Sequence, residues 1–203
     1  ETVPMGPFIP VEVVNPGFEA PIALPAWSFW TDAGNGYSAT VQHDTADFVE
    51  GAASARIDIA SALGEPWRIE LAQRDRSFVQ GKVYRLTFYA KADRARPLTL
   101  SAQKGSPDWR NYGLYQTVNI DSTWREYEVT FEARETTSES RVQFMVGAAT
   151  GAVWIDDVRL NEVPPEIMRR EFDRGLVLLN PTREPQTVTV EGKFRRIVGD
   201  QAP

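Results

Sequence analysis

With 203 residues, the chain is long enough for one sizeable domain with something smaller beside it, and such a length buries roughly 70% of its unfolded surface without covalent staples. Cysteine is absent and His43 is the single histidine, which excludes disulfides, zinc–thiolate centres and cysteine nucleophiles and leaves one residue for any mechanism that needs an imidazole base. A net charge of −6 disfavours nucleic acid and anionic membranes, both of which reward a basic face.

No run of about 18 apolar residues is present for a membrane span, and the N-terminus lacks the basic-then-apolar order of a signal peptide. The chain therefore reads as cytosolic, or as a mature or excised piece.

Residues 1–10, with Pro4, Gly6 and Pro10 and no period, read as a lead-in. Val11 to Val14 is expected as a short strand that stops at Asn15-Pro16-Gly17-Phe18-Glu19. Pro21 and Pro25 imply an irregular loop carrying Trp27 and Trp30, rings that either pack beneath a sheet or line a cleft. Short strands are then expected at Tyr37–His43, Ala53–Ile59, Trp67–Gln73, Val83–Lys91, Leu98–Gln103, Leu114–Ile120, Glu126–Glu132, Val142–Val146 and Val153–Leu160. Many short alternating strands separated by Gly, Pro and Asp turns predict an all-β fold, an antiparallel β-sandwich of the jelly-roll kind. Only Pro165–Phe172 offers one or two helical turns. Beyond Leu160 the tail gives an apolar strand over Gly175–Asn180, a turn at Pro181–Pro185, and alternating strands at Thr187–Val190 and Lys193–Val198. Such strands are too few to stand as an isolated hairpin, so they pack on the sandwich or on a neighbour. The expected boundaries are a lead-in over 1–10, the sandwich over 11–161 and the tail over 162–203.

Alternation assigns faces. Tyr84, Leu86, Phe88 and Ala90 point to the core, as do Val142, Phe144 and Val146, Leu98, Leu100 and Ala102, and the pair Ile69 and Leu71. Trp124 and Tyr127 are placed in the core as well. Arg68, Glu70, Thr99, Ser101, Gln103, Gln143 and Met145 are left on the opposite face, a mixture that suits a ligand as well as it suits solvent. In the closing strand, alternation puts Asp156 with Val158 and Leu160, and Ile155 with Asp157 and Arg159. A carboxylate aimed at a core needs a partner. With no His or Cys cluster nearby, the choices are a hard cation such as calcium, or backbone N–H groups or an Arg.

Asn15-Pro16-Gly17-Phe18-Glu19, Gly51-Ala52-Ala53-Ser54-Ala55-Arg56-Ile57, the run from Gly81 to Ala92, Trp124 with Tyr127, and Trp154-Ile155-Asp156-Asp157-Val158 form an ordered set. Together they resemble carbohydrate-binding modules of the family 4/9/22 type, jelly rolls appended to polysaccharide-degrading enzymes, over roughly residues 11–161. The resemblance implies a structural Ca2+ held by Glu19 and Asp156 with backbone carbonyls from around Gly17, Glu50 and Gly51. It also implies a polysaccharide or oligosaccharide ligand, a covalently attached catalytic domain and a secreted location, with neither nucleic acid nor membrane as partner.

Sugar rings present apolar C–H faces and equatorial hydroxyls, so a glycan site needs flat aromatic rings and planar hydrogen-bonding groups. Trp67 with Glu70 reproduces a Trp-x-x-Glu spacing of some of these modules, and residues 103–116 form a loop rich in both kinds of group. Trp67, Trp109, Tyr112 and Tyr115 are the expected stacking platforms; Arg68, Glu70, Gln103, Arg110, Asn111, Gln116 and Gln143 are the expected readers of hydroxyls. The acidic charge favours a neutral β-linked glucan, xylan or mannan over a uronate polymer. The tail from Arg170 to Thr182, with Phe194 to Asp200, is similar to the closing strands of glycoside-hydrolase-like barrel proteins, which implies a module targeting an attached hydrolase and not itself an enzyme. The alternatives are an accessory sandwich that binds no glycan, and a jelly-roll polysaccharide lyase using His43 with Tyr37 or Tyr112.

Overall fold

The described residues form fourteen strands: β1 Thr2–Pro4, β2 Ile9–Val11, β3 Trp27–Thr31, β4 Ser38–Asp44, β5 Ser54–Ser61, β6 Ile69–Phe78, β7 Val83–Ala92, β8 Arg96–Gln103, β9 Asn111–Ile120, β10 Arg125–Glu132, β11 Thr137–Met145, β12 Gly151–Val163, β13 Glu166–Phe172 and β14 Gly175–Leu179. They are seen in a computed structural model that describes residues 2–4, 8–22, 26–164, 166–180 and 187–193. Contacts divide the chain into Ile9–Glu162 and a second unit made of Glu1–Phe8 with Val163–Pro203.

In the larger unit a sheet ordered β10-β7-β12-β5-β4, with β2 also on β12, faces a five-stranded sheet ordered β3-β6-β11-β8-β9. The core lies between them. Leu86, Phe88 and Ala90 from one sheet and Leu71, Leu98, Leu100 and Phe144 from the other are fully buried, the inward halves of alternating strands that a sandwich requires. Aromatic rings fill its middle: Phe144 packs edge-on against Phe88 at 5.0 Å, and Phe78 packs edge-on against Phe131 at 5.3 Å, arrangements that add to plain burial. Gly113 shows how tightly the layers close. Its φ is +130° and a Cβ there would stand 2.1 Å from the Glu132 carbonyl oxygen, so only glycine lets β9 pass β10.

Several expectations are corrected. The first strand of the sandwich covers Ile9–Val11 and not Val11–Val14, because the Gln73 side chain takes the place of a neighbouring strand. Val14 N–H donates to Gln73 Oε1 at 3.2 Å, and Gln73 Nε2 donates to the Val14 carbonyl at 2.5 Å. Trp27 and Trp30 stand on a strand, not in a loop, with Trp27 opposite Gln73 and Trp30 opposite Glu70. Trp124 is only partly buried and lies outside the core cluster, its indole N–H donating to Asp47 at 2.8 Å; Tyr127 packs against the core, on Phe88. Alternation fails in β12 as well. Ile155 joins the core together with Val153, Val158 and Leu160, because the left-handed backbone of Asp157 (φ 45°) inserts a bulge that shifts the parity of the strand.

The smaller unit is a three-stranded antiparallel sheet ordered β1-β13-β14. Thr2–Pro4, expected as lead-in, is its first strand, and Glu166–Phe172 is extended where helical turns are expected. With neighbours on both sides, β13 hydrogen-bonds through its ladder, which outweighs a helical period too short to nucleate. Thr187–Val190 forms no strand among the described residues. The expected turn at Pro181–Pro185 and nearly all of the strand at Lys193–Val198 lie outside the described residues.

Candidate functional site

The outer face of the five-stranded sheet is built by register. Trp30, Glu70, Met145, Thr99 and Thr117 stand opposite one another across its strands, and Ser28, Ala72, Gln143, Ser101 and Tyr115 form the next row. Arg141, Gln103 and Asn111 follow. Because side chains on one strand face share a direction, these rows project together, away from the core. Over them lies a cleft of about 560 Å³ lined by Trp30, Trp67, Glu70, Arg74, Gln103, Trp109, Tyr115, Arg141 and Met145.

Its walls are aromatic and its floor is charged. Trp30, Trp67, Trp109 and Tyr115 are 44, 40, 51 and 58% exposed, large exposures for rings that are costly to leave in water. Below them Glu70, 6% exposed, pairs with Arg141 and accepts a hydrogen bond from Gln143 Nε2. Burial, the largest influence, pushes the Glu70 carboxyl above its ordinary value, against the pull of Arg141. The Gln103 amide oxygen accepts from Ser101 Oγ at 3.0 Å, which holds its amide plane at the cleft. The Arg141 guanidinium also lies 5.7 Å from the Trp109 ring centroid.

Of the residues expected to contact a ligand, Trp67, Glu70, Gln103, Trp109 and Tyr115 line this cleft, and Gln143 lies beneath it against Glu70. Asn111 lines an adjoining groove, with both ends of its amide spent on its own turn, to the Leu114 carbonyl at 2.6 Å and from Gly113 N–H at 2.8 Å. Four others are placed elsewhere. Tyr112 is core, 4% exposed, since it shares a strand face with buried Leu114. Arg68 pairs with Asp32 and stacks on Trp67 at 4.4 Å, and is not among the residues that line the cleft. Arg110 is held by Glu135 at 2.8 Å, and Gln116 donates to the Thr130 carbonyl on β10 at 2.9 Å.

Sequence reasoning missed Arg74 and Arg141, left Trp30 open between core and cleft, and put Met145 on the outer face without a role in the site. The signal was present for each. Trp30 alternates with Trp27 and Phe29, Arg74 continues the face of Glu70 once β6 is extended past Gln73, and Arg141 and Met145 flank Gln143 by two residues.

Around Asp156 the bland alternative is what the structure shows in part. Asp156 is fully buried and its oxygens accept from Val49 N–H at 2.8 Å, Glu50 N–H at 3.1 Å and Asp157 N–H at 2.7 Å. Burial nevertheless pushes its carboxyl above the ordinary value. Glu19 lies next to it, both of its oxygens accepting from Ala52 N–H. A Cβ on Gly17 would stand 3.2 Å from Glu19 Oε1 and 3.7 Å from Asp156 Oδ1, and a Cβ on Gly51 (φ +68°) would collide with the Glu19 carboxylate at 1.8 Å. Two glycines thus leave a side-chain-free cradle at two converging carboxylates. No cluster of three or more His, Cys, Asp or Glu exists among the described residues, so this donor set fits a hard cation only if backbone carbonyls and water complete the six to eight oxygens that calcium takes.

The profile of a family of carbohydrate-binding domains, CBM 4/9, matches residues 12–151. Comparison with curated proteins returns no match. Among solved structures, one described as "CBM4 structure and function" is 26% identical, with a TM-score of 0.62 over 74% of this chain and 99% of that one. The second N-terminal cellulose-binding domain of β-1,4-glucanase C from Cellulomonas fimi is 18% identical, with a TM-score of 0.57 over 79% of this chain and 99% of that one. A Stig cyclase from Fischerella sp. TAU, 16% identical with a TM-score of 0.60 over 78% of this chain and 99% of that one, shares the same sandwich. At such identities the last two speak for the fold alone.

Proposed function

Since the chain belongs to the CBM 4/9 family of carbohydrate-binding domains, we propose that its cleft binds a β-linked polysaccharide with a backbone of the glucan, xylan or mannan type, without cleaving it. The observation that carries this reading is the set of four exposed aromatic residues, Trp30, Trp67, Trp109 and Tyr115, along one cleft of the five-stranded sheet. Ring faces of this kind take the C–H faces of sugars, while Gln103, Glu70 and Arg141 between them supply hydrogen-bonding groups for hydroxyls. The cleft holds one carboxylate, Glu70, which is tied to Arg141. Glycoside hydrolysis generally calls for two carboxyl groups across the scissile bond, and a lone paired one supports binding over hydrolysis. His43 stands on β4, in the other sheet, which counts against its use with Tyr112 in lyase chemistry.

In this reading the module is part of a secreted polysaccharide-degrading protein and holds an attached catalytic domain at its substrate. Shallow, wet sites of this type return roughly −5 to −7 kcal/mol, a dissociation constant of about 10–100 µM. Native electrophoresis through gels containing soluble β-glycans tests it. Retardation by a β-glycan that is lost in Trp109→Ala, with no reducing ends released, is the expected result; no retardation by any glycan would leave an accessory sandwich as the better account. Calcium between Glu19 and Asp156 is part of the same proposal, as a staple from the Asn15–Glu19 turn to β12. A ligand that binds only the folded chain raises its stability, so a chelator is expected to lower the melting midpoint; an unchanged midpoint sinks the metal.

A further inference from the structure

Charge inside the cleft departs from charge outside it. Glu70 is already neutralised by Arg141. Arg74 lines the same cleft, its Nε donating to Ser28 Oγ at 3.2 Å; it makes no direct ion pair among the described residues, although its charge is near enough to pull the Glu70 carboxyl downward. Past Gln103, Trp109 and Tyr115 the cleft continues into a groove of about 410 Å³ that those three residues share with Asn111, Gly113 and Arg134. Arg134 is exposed and likewise enters no ion pair among the described residues. Of the carboxylates nearest this groove in sequence, Asp108 and Glu135 are engaged by Arg110, at 3.3 and 2.8 Å, and Glu139 by Lys104 at 3.8 Å, while the exposed Glu132, two residues from Arg134, enters no ion pair among the described residues. Arg141 and Arg74 thus outnumber Glu70, the carboxylate of the cleft lining, and Arg74 and Arg134, neither in a direct ion pair among the described residues, flank Trp109 and Tyr115 in a chain whose net charge is −6.

A neutral sugar chain laid over those rings would strip water from both guanidinium groups and return only hydroxyl contacts. A carboxylate returns a charge-assisted, frequently bidentate hydrogen bond of about twice the strength. Resting on the glycan reading of the cleft, we propose that its ligand is acidic: a β-linked glycan whose uronic acid carboxylates are met by Arg74 on one side of the Trp109–Tyr115 pair and by Arg134 on the other. The aromatic rings give affinity for the backbone and the arginines select the acid. The acidic remainder of the surface repels polyanions that do not reach the cleft, so selection is confined to it. Overall charge, which points to a neutral ligand, is thus overridden by two local charges.

The test uses the full chain and matched polymers that differ only in the acid. Affinity is measured for β-1,4-linked polymannuronate and for glucuronoxylan, each beside its carboxyl-reduced form, at about 20 and about 200 mM salt. The expected result is about tenfold tighter binding of the acidic forms at low salt, a difference that shrinks at high salt. Arg74→Gln and Arg134→Gln each lose about threefold on the acidic form and nothing on the reduced one, and Trp109→Ala loses both forms. Reduced polymers binding as tightly as acidic ones, with Trp109→Ala still losing them, overturn the acid selectivity and leave the glycan reading intact. Acidic polymers binding equally to the arginine variants, or to Trp109→Ala, also overturn it. Binding to neither polymer in either form overturns the acid selectivity, and the glycan reading falls with it only if the neutral β-glycan gels also show no retardation.

Discussion

The outer faces of the two sheets use the same residue types and end in opposite states. On the sheet containing β12, Trp154 donates its indole N–H to Asp44 at 2.9 Å and Trp124 donates to Asp47 at 2.8 Å. Lys91 lies over both rings, at 4.7 and 5.4 Å, and Arg56 covers Trp154 at 5.0 Å. Both indoles there are matched by charges from the same face. On the five-stranded sheet Arg141 is paired with Glu70 and only approaches the Trp109 ring, while the indole N–H groups of Trp30 and Trp109 find no acceptor among the described residues and both rings stay about half exposed. Tryptophan and arginine on a sheet face do not by themselves make a site. What makes one is that the polar partners are spent elsewhere and the rings are left over.

Removing Arg141 tests the floor of the cleft and carries the largest expected effect. With its side chain 11% exposed beside Glu70 at 7%, Arg141→Ala leaves a buried carboxylate without its ion-pair partner, held only by Gln143 and the more distant Arg74, and is expected to cost about 3 kcal/mol in chemical denaturation. Lys91→Ala on the other face, whose partner Asp47 is 38% exposed, is expected to cost about 1 kcal/mol or less. Equal costs would mean that the two faces are not built differently. Next come the rings themselves. Trp154→Ala is expected to lower stability by about 2 kcal/mol while leaving glycan affinity unchanged, since its contacts are internal. Trp109→Ala is expected to change stability by no more than about 0.5 kcal/mol and to weaken binding about tenfold or more. A Trp154 variant that loses binding would put the ligand on the wrong sheet.

The smallest effect is in pH dependence, where the faces should differ in sign. Burial pushes Glu70 above its ordinary value, so the folded chain holds that proton more tightly than the unfolded chain does. Its favourable contribution is full below about pH 4 and is lost as pH rises through the raised value. Asp47 behaves the other way. Burial, the largest single influence, would raise it, but the hydrogen bonds from Lys91 and Trp124 together hold it below its ordinary value. Its contribution is present above about pH 4 and lost as pH falls through the depressed value. Melting midpoints measured against pH are expected to show Glu70→Gln flattening the slope on the rising side and Asp47→Asn flattening the acid limb. The same limb affected by both would contradict the assignment of the two carboxyls.

Alternation made much of this legible in advance. Tyr84-Arg85-Leu86-Thr87-Phe88 can place its large apolar groups on one side only if it is a strand, because the period is two, and the same holds for Leu98-Thr99-Leu100 and for Val142-Gln143-Phe144. Core, fold class and the polarity of the outer face follow from such local patterns, together with the five ordered motifs, and the structure agrees with them. Trp67, Glu70 and Trp109 are brought together by the family resemblance and its Trp-x-x-Glu spacing, not by alternation, which puts Trp67 with Ile69 and Leu71. The sequence could not say that Tyr115 is open and Tyr112 closed, since that depends on where β9 begins and on a shift in register between Ser101 and Gln103. Nor could it say that Ile155 and Val158 share the core, which takes a left-handed residue at Asp157. Least legible was which arginines are already paired. Arg141 meets Glu70 across 71 residues, whereas Arg74, four residues from Glu70, is left to the cleft. Face is a property of the local backbone, so periodicity reveals it; partnership is a matter of distance in three dimensions, and only the packed sheets decide that.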